Sequence, residues 1–155
     1  HMMMAILYEL KKETPKANEY YKKVLDLNKN FALAANNLAW NYAEYGGNLD
    51  VALGLAQRAR EANPNDPVVA DTLGWIYYKK GVYESSISLL KESNEKFKGS
   101  NPTVLYHLGR AYEKNRDKDR AKQALTQALS VNQEFAEVAD VRRLLGSLQD
   151  QKGGK

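Results

Sequence analysis

Cysteine is absent from the 155 residues and histidine occurs only twice. The first absence removes disulfides, thiolate nucleophiles and every cysteine-based metal site. The second leaves His107 alone, because His1 opens a His1-Met2 start that reads as the remnant of an expression vector. A multi-histidine zinc site or catalytic centre cannot be built within one such chain. No run approaches the roughly 20 consecutive apolar residues a membrane helix needs, so membrane insertion is not expected. Charge of one sign is lacking as well. The net charge is +4, but the densest basic run, Arg110 to Lys122, interleaves Glu113, Asp117 and Asp119. Mixed signs of this kind mark a solvated helical face and not a nucleic-acid stripe, so no nucleic-acid partner is expected. Gly46-Gly47 lacks the Gly-Lys-Ser/Thr of a phosphate loop. Asp117-Lys118-Asp119 lacks the glycine and distal glutamate of a calcium loop. Neither a metal nor a cofactor is expected, and no constellation supports an enzyme.

With 43% hydrophobic and 27% charged residues, the chain has the make-up of one folded domain. What is present is a period. Leu38, Leu73 and Leu108 are each 35 apart, and Tyr42, Tyr77 and Tyr112 keep the step, as do Ala39, Gly74 and Gly109. A second set follows with steps of 34 and 35: Ala52, Ser86 and Ala121; Ala56, Leu90 and Leu125; Ala59, Ser93 and Ala128. Within each set the spacing of three and four places the side chains on one helical stripe. Each unit therefore reads as two helices packed closely through small residues. Asp66-Pro67 and Asn101-Pro102 pair an N-cap side chain with a proline in the first turn, and Thr14-Pro15 is expected to repeat the device. Gly81 is expected to turn the chain between paired helices.

These units resemble the tetratricopeptide repeat family, whose 34-residue helix–turn–helix unit carries a W-x₂-L-G-x₂-Y…A-x₃-F…P pattern. Leu73-Gly74-x-x-Tyr77 with Ser86 and Leu90 matches best. Leu108-Gly109-x-x-Tyr112 with Ala121, Leu125 and Ala128 follows, then Leu38-Ala39-x-x-Tyr42 with Ala52, Ala56, Ala59 and Pro64. Alanine stands for the opening tryptophan in the middle unit, and no unit has phenylalanine in its second helix. The resemblance implies an all-α fold: a right-handed superhelical solenoid of helix–turn–helix repeats. Repeats are expected at 32–66, 67–101 and 102–135, within one domain spanning 1–149. Met4, Ala5, Tyr8, Ala17, Tyr21 and Val24 fall where a preceding, shortened unit at 3–31 would place them. The chain is thus expected to be the C-terminal part of a longer repeat protein. At the other end the signature fails on Arg142 and Arg143. Val138, Val141, Leu145 and Leu148 still form an apolar stripe, which predicts a capping helix over 136–149. Residues 150–155 are expected to form a flexible tail.

Tyr8, Tyr21, Tyr42, Tyr77 and Tyr112 fill core slots, and His107 reads as a partly exposed helical histidine. The informative residues lie off the core stripe of the first helices, which the resemblance turns toward a concave groove. They are Asn36 and Trp40, then Asp71, Trp75 and Tyr78, then Tyr106, Arg110 and Glu113. Trp, Tyr and Arg beside polar residues have the make-up of a binding hot spot. Two tryptophans 35 apart could equally ladder between neighbouring first helices. Tyr106 and Arg110 are the two expected to stay free for a ligand. The carboxylate clamp of some tetratricopeptide domains uses lysines and asparagines. Its slots here hold Asn36, Trp40, Thr72 and Thr103, so that clamp is not expected.

The expected function is a non-enzymatic scaffold or adaptor that binds a peptide segment or helix of a partner protein in this aromatic groove. The alternative is an architectural or self-associating segment of a longer repeat protein, joined through the shortened first unit. Asn37-Leu38-Ala39-Trp40 and Asp71-Thr72-Leu73-Gly74-Trp75 look like bacterial members of the family, some of which serve envelope systems such as exopolysaccharide export. The compartment stays open, since absent cysteine fits both cytoplasm and periplasm.

Overall fold

The computed structural model describes residues 1–153. Among them are nine helices: α1 (Met2–Leu10), α2 (Thr14–Leu27), α3 (Ala32–Glu44), α4 (Leu49–Ala62), α5 (Pro67–Lys79), α6 (Tyr83–Lys96), α7 (Pro102–Lys114), α8 (Lys118–Val131) and α9 (Val138–Gly153). Consecutive helices pack as antiparallel pairs and each pair stacks on the next, with α9 closing the far end against α8. First helices of neighbouring pairs also touch, α3 against α5 and α5 against α7. The paired helices expected from the period, and the all-helical solenoid that the resemblance implies, are the observed architecture. Among the described residues no helix is long and apolar enough to cross a membrane.

Local chemistry sets the helix starts. The side chain of Asn48 accepts from the backbone N–H groups of Asp50 and Val51, and Asn101 accepts from Thr103 and Val104. Asp66 accepts from Val68 and Asp117 from Arg120. Each satisfies donors that the first turn leaves without an intrahelical partner. Thr14 departs from the expected device. It is the first residue of α2, Glu13 holds the cap position, and no side chain caps the helix.

The turns inside the pairs repeat as strictly as the cores. Lys12, Gly46, Gly81 and Arg116 all take a positive φ, between 59° and 85°. In each pair the next residue donates its N–H to the carbonyl of the repeat tyrosine. Glu13 bonds Tyr8, Gly47 bonds Tyr42, Val82 bonds Tyr77 and Asp117 bonds Tyr112, all at 2.8–2.9 Å. This left-handed C-terminal cap closes the helix and reverses the chain. Glycine adopts it without strain at two of the four positions.

The small-residue slots bring the paired helices together. Ala39, Ala52, Ala56, Ala59, Ala121 and Ala128 are fully buried. In the middle pair, Ser86 Oγ donates to the Gly74 carbonyl and Ser93 Oγ to that of Pro67, each at 2.7 Å, so both buried hydroxyls are partnered. The last helix differs from expectation in two respects. It continues past 149 to Gly153, so part of the stretch read as a tail is helical, while Gly154 and Lys155 lie outside the described residues. Leu144 joins Val141 and Leu148 in the core, whereas Leu145 is only half-buried.

Candidate functional site

A recess on one face of the solenoid is lined by Glu9, Asn36, Asn37, Trp40, Val68, Asp71, Thr72 and Thr103. These residues come from α1, α3, α5 and α7, the first helix of every pair. No second helix contributes. First helices thus share one continuous face, and residues about one repeat apart stand side by side on it.

The eight expected site residues do not form a single accessible patch. Asn36, Trp40 and Asp71 meet in the recess. Trp75 and Tyr106 are each only 7% exposed and form part of the core. Trp75 stacks on Tyr78 with ring centroids 4.4 Å apart and planes 5° from parallel, and on His107 at 4.1 Å. Its indole N–H donates to Glu44 at 2.5 Å. Trp40 also meets His107, at 5.7 Å. The histidine therefore stands between the two tryptophans that the sequence sets 35 apart. Glu113 lies elsewhere, bordering a depression with Arg116, Lys118, Leu144, Ser147 and Leu148.

Two expectations are corrected. His107 is not partly exposed: it is 2% exposed, and its Nδ1 lies 2.8 Å from Asp71 Oδ1. Asp71 is 36 residues away, just over one repeat, which is why no partner is visible nearby in sequence. Tyr106 and Arg110 are not free. The Tyr106 hydroxyl bonds Asp140 of α9, and Arg110 Nη1 donates to Tyr106 at 2.9 Å and to Asp140 at 2.7 Å. Arg110 Nε donates to the Tyr78 hydroxyl at 3.2 Å. Asp140 follows Tyr106 by 34 residues, and Glu137 follows Thr103, whose hydroxyl it accepts at 3.1 Å, by the same 34. The period thus runs on into α9 although its apolar signature stops. That spacing was the available signal for Asp140.

These contacts set the charge states. Burial works against the charge of Asp140, but the Tyr106 hydroxyl and the guanidinium groups of Arg143 and Arg110 hold its pKa below the ordinary carboxylate value. Glu92 is likewise lowered by its two bonds from Arg60. Burial pushes the Tyr106 hydroxyl well up, and Asp140 adds to the shift. A carboxylate whose folded pKa is depressed stabilises the fold above its unfolded pKa and loses that contribution as pH falls through the folded one. Stability is therefore expected to drop on acidification from about pH 5 to about pH 3. Asp140→Asn should flatten that limb, as urea midpoints across the range would show. An unchanged slope would remove Asp140 as the acid-sensitive tie between α7 and α9.

A model of the tetratricopeptide repeat matches residues 102–135, the pair α7–α8. The same helix pair, with the same tyrosine-linked turn, recurs through the fold. Residues 102–135 are a tetratricopeptide repeat, and the helix pair they form is the repeating unit of the fold. A 78-residue stretch, half of the chain, is 30% identical to a TPR repeat-containing protein of Pseudomonas aeruginosa, and spans 13% of that protein's length. Among solved structures, MamA from Desulfovibrio magneticus superposes with a TM-score of 0.77 at 19% identity, over 97% of this chain and 86% of that one. A thermophilic TPR protein of Thermus thermophilus gives 0.74 at 18%, over 94% and 77%. The APC/C hetero-tetramer Cut9-Hcn1 gives 0.85 at 20%, covering 97% of this chain and 29% of its counterpart. At these identities the likeness is one of fold.

Proposed function

We propose that this tetratricopeptide domain is a non-enzymatic scaffold that holds a partner protein's extended segment or helix along the face formed by its first helices. The carrying observation is the recess built from α1, α3, α5 and α7 alone. Trp40 is its half-buried aromatic, and Tyr78, also half-buried, stacks on Trp75 beyond it. Trp75, Tyr106 and Arg110 act behind them, since their bonds to Glu44 and Asp140 fix the wall before a ligand arrives. A wall already ordered spares a ligand the entropic cost of ordering it. Asn36 and Asp71 supply polar groups in the recess, and Glu113 would meet a partner long enough to reach α9.

The exposed apolar side of α1 favours a second reading, self-association through the first pair. Met3 is 85% and Leu10 78% exposed, and Ile6 and Leu7 are also uncovered. One experiment addresses both readings. A photo-crosslinking amino acid is placed at Val68 in the recess, at Leu10 on α1, and at Arg58 on the exposed side of α4 as a control. The groove reading expects one protein to be captured at Val68 and not at Arg58, with capture lost on adding Trp40→Ala. Crosslinks confined to Leu10, joining two copies of the chain, would replace it with self-association.

A further inference from the structure

The recess carries a specific chemistry. Its lining contains two carboxylates, Glu9 and Asp71, and no lysine or arginine, in a chain whose net charge is +4. Among the described residues neither carboxylate meets a basic side chain other than His107. Glu137 adds a third carboxylate at the edge through its bond to Thr103. An acidic cluster alone means little, but Asn36 supplies an independent observation. It is 4% exposed, it lines the recess, and its Oδ1 has no hydrogen-bond partner. Its amide N–H₂ is directed to Asn37 Oδ1 at 3.3 Å, and Asn37 in turn donates to the Tyr21 hydroxyl at 3.0 Å. In this arrangement the Asn36 acceptor is unused, and a buried acceptor left unused costs free energy that a donor would restore. Asp71 engages His107 through Oδ1 and leaves Oδ2 to a further donor. The half-buried indole of Trp40 completes the lining.

Unused acceptors, uncompensated negative charge and an aromatic face together define the complement of a planar, multidentate cation. We infer that this recess receives an arginine side chain of the partner segment, with Asn36 Oδ1 and the Asp71 carboxylate accepting from the guanidinium and Trp40 lying against its face. A guanidinium offers five N–H donors in a flat fork and stacks on aromatic rings, which an ammonium does not match in shape. The inference rests on the groove reading above and adds the class of residue selected there.

The test uses two blocked tripeptides, acetyl-Ala-Arg-Ala-amide and its citrulline counterpart, which keeps the shape and loses the charge. Binding is followed by NMR at the Trp40 indole and the Asn36 side-chain amide. The arginine peptide is expected to saturate with a Kd on the order of 1 mM, and the citrulline peptide to bind at least about tenfold more weakly. Glu9→Gln should weaken the arginine peptide several-fold, and Asn36→Leu more so. Should Asn36→Leu lose helicity by circular dichroism, Glu9→Gln carries the comparison. Equal binding of both peptides, no saturable shift up to about 10 mM, or indifference to Glu9→Gln would each overturn the inference. Retained crosslinking at Val68 in that case would leave the groove reading standing. Arginine binding without any Val68 crosslink would do the reverse.

Discussion

Leu125→Ala is expected to destabilise the domain by about 3 kcal/mol, and the loss should be partly coupled to Gly109. Leu125 is fully buried, and truncating such a side chain removes its transfer free energy and leaves a cavity, typically about 2–5 kcal/mol together. Its neighbour across the pair is a glycine for a geometric reason. A Cβ on Gly109 would stand 2.6 Å from Leu125 Cδ2 and 2.7 Å from its Cγ. On Gly74 it would stand 2.9 Å from Leu90 Cγ. The first full pair solves the same packing with alanines in both slots, Ala39 and Ala56. Gly109→Ala should therefore cost about 1–2 kcal/mol net, overpacking being partly offset by the better helix propensity of alanine. Combined with Leu125→Ala, which clears the space, it should cost less than the sum by about 1 kcal/mol. Urea unfolding of the four proteins at constant slope measures this. Strict additivity would mean that the glycine answers to some other constraint.

That complementarity explains how much of the fold was legible. The slots of a pair face each other within about 20 residues, and the same solution recurs three times. Subtraction therefore exposes Leu38, Leu73 and Leu108, the tyrosines and the small residues together, and with them the solenoid. The tyrosine position has a further role that the sequence does not show: its backbone carbonyl, which any residue would supply, closes the turn after every first helix. The site is less legible because it is made between pairs. Trp75 reaches back 31 residues to Glu44, His107 back 36 to Asp71, and Arg110 forward 30 to Asp140. These spans scatter around the period, so aligning equivalent positions does not find them. A helical wheel puts Trp75 and Tyr106 on the correct face but cannot tell wall from opening, since that depends on what the next helix contributes. The position of Asn36 is readable in the same way, while its unused acceptor is visible only in three dimensions.

The buried histidine carries the other large expected effect. With Asp71 removed, the Nδ1 of a residue only 2% exposed would lose its partner, and such unsatisfied groups cost about 1–3 kcal/mol. Asp71→Ala is therefore expected to destabilise by about 2 kcal/mol. It should also shift Trp75 fluorescence, because the imidazole stacked on that indole is no longer held. Asp71→Asn separates the hydrogen bond from the charge. A carboxamide can donate to or accept from Nδ1, so it serves either tautomer, and the substitution should cost less than about 1 kcal/mol. If Asp71→Asn were as damaging as Asp71→Ala, the contact would be an ion pair with a charged imidazolium and not a neutral bond. In either case the same carboxylate lies in the recess, so its two oxygens tie the stability of the α5–α7 contact to the face on which a partner is proposed to bind. Asp71→Ala should then weaken the arginine peptide more than Glu9→Gln does, because Asp71 is the carboxylate proposed to accept from the guanidinium.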